Sequence, residues 1–287
     1  MIIIKTPLRI NFTGGGTDLP RFYEKFEEKV ISSTIDKFIY IIVKRQYGFI
    51  GFKYKINWSK SEFKNKLKDI EHQIVRVTLK YFKINFSIEI STFLDIPAGT
   101  GLGSSGTFAV GLINGISKIL NKKLSKKKIA EIAFFIEENL LKRQIRKQDH
   151  YSAIFRRLNK IIFKKTRNVK VKEIITKKYF LKKIEKNYLF QFNKIKKELN
   201  NFEHFFANKK PGLKKISELL NEQWSLKKKV NNLVRSVYLN KIYNRCINAG
   251  AYGGKLLGEG ISGFYLLTCN NLTMRKTSSI FGSNNEI

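Results

Sequence analysis

The sequence is sparing with cysteine, proline and acidic residues: 2 Cys, 4 Pro and 22 Asp+Glu in 287 positions. Cys246 and Cys269 have neither metal-ligand nor framework spacing, which points to buried or inert thiols in a reducing compartment. With so few prolines there is no proline-rich linker, and no internal repeat is visible. Long apolar runs are missing as well. The densest, Phe38–Val43, falls far short of the roughly 20 residues that span a bilayer. Met1–Ile4 runs directly into Lys5 without a signal-like pattern, so a soluble, cytoplasmic protein with no membrane partner is expected.

The shortage of acid is matched by an excess of base. Lys+Arg number 56, and the formal net charge is +34. Such a charge suits a binder of nucleic acid or anionic membrane. The lysines, however, are spread along the whole chain, with no zinc-finger, RNP-type or helix-turn-helix pattern beside them. Lys, Asn, Ile, Phe and Tyr, whose codons are rich in A and T, recur throughout. This usage points to genomic base bias behind the charge, and no specific nucleic-acid partner is expected. A nonspecific polyanion-binding protein is the non-enzymatic rival. Nothing in the sequence sets an oligomeric state.

What is present is enough apolar material for a folded core: 43% hydrophobic and 13% aromatic residues, in a chain long enough for two closely packed lobes. Met1–Lys5 and Ile35–Lys44 read as strands, and the charged Pro20–Lys29 between them as a short helix. Ile70–Phe82 follows helical spacing, and Phe86–Phe93 alternates as a strand. Ser104–Leu120 is apolar nearly all round and reads as a buried helix. Ser125 can cap the next helix, whose stripe runs Ile129, Ile132, Ala133, Ile136, Leu140. Strands return at Lys160–Phe163 and Val169–Ile174. Two helical patterns follow, Leu213–Val230 and Leu233–Asn248, the second ending at Gly250. Gly263–Cys269 reads as a late buried strand. A soft boundary falls near Asn159–Lys170.

The sharpest feature is Pro97-Ala98-Gly99-Thr100-Gly101-Leu102-Gly103-Ser104-Ser105-Gly106, between a strand and the buried helix. Glycines let the backbone approach a polyphosphate, and the helix that follows aims unpaired N–H groups and a positive dipole end at the anion. Ser104 and Ser105 add hydroxyls for phosphate or magnesium. A Walker loop would need a Gly-Lys-Ser/Thr ending, which is absent. Gly101, Gly103 and Gly106 spell G-x-G-x-x-G, but a dinucleotide fold needs a second strand with an acidic tip about 20 residues on. Lys122–Lys128 and another helix occupy that place.

This loop resembles the phosphate-binding motif of the GHMP kinases. Two more segments agree in order and spacing. Thr6-Pro7-Leu8-Arg9-Ile10-Asn11-Phe12, followed by Gly14-Gly15-Gly16-Thr17-Asp18-Leu19-Pro20, is similar to the first motif of the family's sugar kinases. Gly250-Ala251-Tyr252-Gly253-Gly254-Lys255-Leu256-Leu257-Gly258 is similar to its third. Ser33-Thr34-Ile35-Asp36-Lys37 and Lys147-Gln148-Asp149 are similar to segments of the branch acting on phosphorylated heptose. The resemblance implies an α+β, two-lobed GHMP kinase fold. Residues 1–165 would form an ATP-binding lobe like domain 2 of ribosomal protein S5, and residues 166–287 a ferredoxin-like second lobe, whole or truncated. It implies ATP and Mg2+, and a sugar phosphate as acceptor, with fucose-type or mevalonate-type substrates, or a decayed inactive copy, as alternatives.

The resemblance also places roles. Pro97, Gly99, Gly101, Leu102, Gly103, Ser104, Ser105 and Gly106 would bind nucleotide. Glu137 matches the magnesium-binding glutamate; Ser104 is the candidate hydroxyl ligand, with Ser105 left open beside it. Asp149 matches the catalytic aspartate that accepts the hydroxyl proton, and Arg9 would support its charge and that of the transferred phosphate. Thr17 and Asp18 would bind sugar hydroxyls, while Gly253 and Gly254 would let the second lobe close on nucleotide and substrate. His150 is assigned no chemistry, glutamine being usual at its place in the family. Departures from the pattern are basic: arginine stands at Arg146, Arg156 and Arg157 where relatives have glycine, and Arg143 is a further basic substitution. Arginine in a glycine position implies backbone strain wherever φ is positive.

Overall fold

β1 (Ile2–Thr13) turns Ile4, Leu8, Ile10 and Phe12 into the core by strict alternation. The computed structural model describes residues 1–13, 23–47, 51–175, 213–230, 237–257 and 265–270. The chain folds as two units. One comprises Met1–Arg9, Thr34–Ala98 and Gly103–Arg157; the other comprises Ile10–Ser33, Gly99–Leu102 and Leu158–Ile287.

In the first unit, β5 (Ile88–Leu94) is central. It pairs antiparallel with the later half of β2 (Glu28–Arg45), Ile39 opposite Leu94, and parallel with β3 (Tyr54–Asn57). β4 (Ser61–Lys64) closes a hairpin with β3. That hairpin is tied to the next helix by Glu62, a buried carboxylate that accepts from Trp58 Nε1, Glu71 N and His72 N. α1 (Gln73–Tyr81) begins three residues later than its periodicity predicts. Its cap is His72, whose Nδ1 accepts from Val75 N. α2 (Ser104–Ile119) is buried almost throughout, as its composition predicts. Gly111 and Gly115 let it lie flat on the sheet: a Cβ at Gly111 would stand 2.6 Å from Thr6 Oγ1, and one at Gly115 2.8 Å from Val43 Cγ2. Burial of Leu112, Ile113 and Ile116 contributes roughly 1.5–3 kcal/mol each.

Ser125 caps α3 (Lys126–Phe135) through Lys128 N, as expected. The stripe that continues to Leu140 does not stay α-helical. From Ile136 to Leu140 the chain makes a π-helical turn, with Leu141 N donating to Ile136 O. α4 (Lys147–Phe155) follows and ends at Arg156.

In the second unit, β6 (Leu158–Phe163) pairs antiparallel with the first half of β2, Glu28 opposite Phe163, and with β7 (Val169–Glu173). This pairing shortens the helix expected over Pro20–Lys29. Within its described part Tyr23 is helical, the chain then turns, and it is already strand at Glu28 and Lys29. Cross-strand partners on β6, and Tyr23 packed on Phe163 at 5.7 Å, override the local charge alternation. α5 (Leu213–Val230) matches its predicted span; α6 is described from Val237 to Asn248, and the first four residues of its predicted span lie outside the described residues. Gly250, at φ 104°, ends α6, with Ala251 N reaching Cys246 O. β8 (Gly253–Leu256) and β9 (Tyr265–Thr268) form a buried antiparallel pair, with Trp224 packed against Tyr243 and against Tyr265 of β9. Gly263 and Phe264 of the predicted late strand lie outside the described residues. Among the described residues no helix is long and apolar enough to cross a membrane.

The expected strain has a definite location. Arg146 sits at φ −94°, an ordinary extended conformation that any residue adopts, so the expectation fails there. Arg156, at φ 60° and ψ 175°, occupies a region nearly reserved for glycine, and Arg157 follows at φ 61°. Arg156 Nη2 donates to Lys5 O, and Arg157 N to Thr34 Oγ1, which hold the turn. Arg156→Gly is expected to stabilise the protein by about 1 kcal/mol after loss of the Lys5 hydrogen bond, raising the thermal midpoint by about 2–4 °C. The two cysteines are buried and free, and burial pushes the Cys246 thiol up to about 11. Neither is expected to react with a thiol reagent at pH 8 until the protein is unfolded in denaturant.

Candidate active site

The glycine-rich loop alternates its backbone. Gly99, Gly101 and Gly103 have φ of 85°, 77° and 77°, angles that L side chains resist, and residues of ordinary φ lie between them. Asp95, just before the loop, anchors it by accepting Phe38 N at 2.8 Å. Gly103 is the N-cap of α2, with Thr107 N closing the first turn on its carbonyl. The donors of the first helical turn thus open at Ser104 and Ser105, an arrangement suited to an anion.

A buried charge and a half-buried one meet there. Arg9, from β1, donates from Nε to Asp149 Oδ1 at 2.9 Å, with Nη2 2.7 Å from the same oxygen. Asp149 belongs to the first turn of α4, where the helix dipole favours an anion. The pair lies directly against the mouth of α2. A Cβ at Gly103 would stand 2.9 Å from Arg9 Nε, and one at Gly106 would stand 2.9 Å from Asp149 Cβ.

On the other side of that mouth lies Glu137, carried by the π-helical turn and wholly buried. Ser105 Oγ donates to its Oε1, His150 Nε2 stands 2.9 Å from its Oε2, and Arg143 Nη1 is 3.6 Å away. Burial, the largest influence, favours the protonated acid. The hydrogen bonds from His150 and Ser105, with the Arg143 guanidinium, outweigh it and hold the carboxyl below its usual range. It is Ser105, not Ser104, whose hydroxyl meets Glu137. Ser105 is exposed, so the pair opens outward there. A buried carboxylate and a hydroxyl form a hard-oxygen set that fits magnesium, an ion that takes one or two carboxylates and completes its shell with phosphates and water.

Arg9, Gly103, Ser104, Ser105, Gly106, Glu137 and Asp149 are therefore brought together. Gly253 and Gly254 are in the second unit, buried in β8. Gly254 N donates to Asn221 Oδ1 at 3.1 Å, and a Cβ at Gly253 would lie 2.6 Å from that same oxygen. The space freed by both glycines is filled by α5 and β9. Thr17 and Asp18 lie outside the described residues. The sequence reading missed His150 and Arg143 as partners of Glu137. The proximity of His150 to Asp149 in sequence was the available signal, but it gave no partner. No group of three or more metal-ligating side chains occurs among the described residues.

Residues 70–157 match the model of the GHMP kinases N terminal domain. Over 91% of the chain, and 87% of the relative, the sequence is 29% identical to D-glycero-alpha-D-manno-heptose 7-phosphate kinase from Campylobacter jejuni. It is 30% identical to a mevalonate kinase of Saccharolobus solfataricus over 48% of the chain and 44% of the relative. The fold superposes on the crystal structure of a D-glycero-D-manno-heptose 1-phosphate kinase from Bacteriodes thetaiotaomicron with a TM-score of 0.81. That match has 22% identity and covers 97% of this chain and 92% of that one. A putative sugar kinase from Campylobacter jejuni gives 0.75 at 23% identity, over 97% and 92%. Fold and matched domain define an α+β small-molecule phosphotransferase that uses ATP. Residues 70–157 thus carry a GHMP kinases N-terminal domain, and most of the chain is similar to a kinase of phosphorylated heptose.

The fit of α2 against Asp149 is open to a direct check. Gly106→Ala is expected to cost roughly 1–3 kcal/mol in denaturant unfolding, because its methyl must displace Asp149 or the helix. Gly51→Ala, whose methyl meets nothing within 4 Å, is expected to stay within about 0.5 kcal/mol of the parent.

Proposed function

We propose that the protein transfers the γ-phosphate of ATP to a sugar hydroxyl, with the anomeric hydroxyl of D-glycero-D-manno-heptose 7-phosphate as acceptor. The observation that carries this reading is the Asp149 carboxylate, held by Arg9 against the glycine-lined mouth of α2. A heptose 7-phosphate kinase that is 29% identical over 91% of the chain supports the choice of acceptor. In this reading residues 1–165 form the nucleotide lobe and 166–287 the second lobe, and the protein works in the cytoplasm.

Phosphoryl transfer needs alignment and charge neutralisation more than covalent help. Backbone donors from Gly99 to Gly106 seat the triphosphate, with Pro97 and Leu102 shaping the loop. Asp149 accepts the proton of the attacking hydroxyl, and Arg9 holds that carboxylate in place while its positive charge faces the transferred group. Thr17 and Asp18 engage sugar hydroxyls, and Gly253 and Gly254 keep the second lobe tightly packed. Glu137 and Ser105, with Ser104 alongside, would hold magnesium, which supplies charge neutralisation at the phosphates when bound.

The test is an assay with ATP and Mg2+ across heptose 7-phosphate, fucose and mevalonate. Turnover is expected with the heptose phosphate, and preference for another acceptor would move the enzyme to a different branch of the family. Asp149→Asn is expected to lower kcat about 10²- to 10⁴-fold with nucleotide affinity retained. Loss of nucleotide binding in that variant, or no loss of turnover, would overturn the assignment of Asp149. Binding of RNA that survives physiological salt, without turnover on any acceptor, would favour a polyanion-binding role instead.

A further inference from the structure

His150 is buried to 1% exposure and, among the described residues, has one polar partner, Glu137 Oε2. Its other ring nitrogen, Nδ1, has no hydrogen-bond partner among the described residues. The hydrogen of the ring therefore sits on Nε2 and is donated to Glu137. The alternative would aim a nitrogen lone pair at a carboxylate and bury an N–H without an acceptor. The ring is fixed in place by an edge contact with Phe134 at 5.7 Å, on α3 just before the π-helical turn that carries Glu137.

From this geometry we propose that His150 is the positioning residue of the metal site. By occupying Oε2, it leaves Oε1 directed to Ser105 at the mouth of α2. The inference rests on the kinase reading, in which Glu137 and Ser105 hold magnesium. It adds a coupling which that reading lacks. Asp149 and His150 are neighbours on α4, one bound to Arg9 and the other to Glu137. A single helical turn thus sets both the proton acceptor and the carboxylate that would meet the metal. Partners of this kind that orient metal ligands change metal affinity by 10- to 100-fold when removed.

The test uses Mn2+ as a spectroscopic stand-in and a non-hydrolysable ATP analogue, with free Mn2+ read by electron paramagnetic resonance. His150→Phe, which keeps a ring but loses the donor, is expected to weaken Mn2+ binding by the protein–nucleotide complex about 10- to 100-fold. His150→Gln places an amide N–H at nearly the same reach and is expected to recover most of that loss. A purely structural histidine would lower the melting temperature in both variants without this split. A folded Phe variant with parental Mn2+ affinity would overturn the proposal, as would a Gln variant as weak as Phe. Should the Phe variant not fold, His150→Leu replaces it with the same two outcomes. Failure of the parent protein to bind Mn2+ beyond the nucleotide's own share would overturn the magnesium reading itself. Parental binding that is indifferent to residue 150 overturns the positioning role alone.

Discussion

The close approach of α2 to α4 is the constraint on which the rest of the first unit depends. Two helices come this near only where one offers no side chains, and Gly103 and Gly106 provide that gap opposite Arg9 and Asp149. Without it, the carboxylate and the helix mouth would be separated by at least a methyl group. The same approach places His150 against Gly106 and so within reach of Glu137. Packing and chemistry here have one cause. The flat contact of α2 with the sheet at Gly111 and Gly115 fixes the helix from its other side.

Local signals made part of this legible in the sequence. The buried helix after the glycine-rich loop, the Ser125 cap and the Gly250 terminus each follow from a few neighbouring residues and were read correctly. The failures were non-local. β2 begins at Glu28 because β6, more than 120 positions away, pairs with it, and a charge pattern cannot report that partner. The π-helical turn at Ile136–Leu140 kept the apolar spacing of an α-helix while changing its hydrogen bonding. Arg9 and Asp149 are separated by 140 positions, so no spacing rule joins them; the family resemblance suggested the pair. Resemblance alone also misled, since Arg146 shares the glycine-to-arginine change of Arg156 without its positive φ.

A chain with 22 acidic residues has placed several of them at fixed posts. Glu62 gathers three N–H groups between the hairpin and α1, Asp95 anchors the strand before the loop, and Glu71 takes both Lys60 and Lys64. Glu89 takes Lys55 and the Gln46 amide. Exposed pairs of this sort contribute little each, whereas the buried Glu62 would be costly to leave unsatisfied. Among the described residues, the anionic groups that matter most to the fold are the ones held inside or at strand ends.

The alternating glycine loop has a further consequence. Its path rests on main-chain torsion angles at Gly99, Gly101 and Gly103, and on no side chain that protonates. A lysine gained elsewhere in the chain need not alter that path. A side chain gained at any of the three glycines would, because each holds an angle that other residues resist.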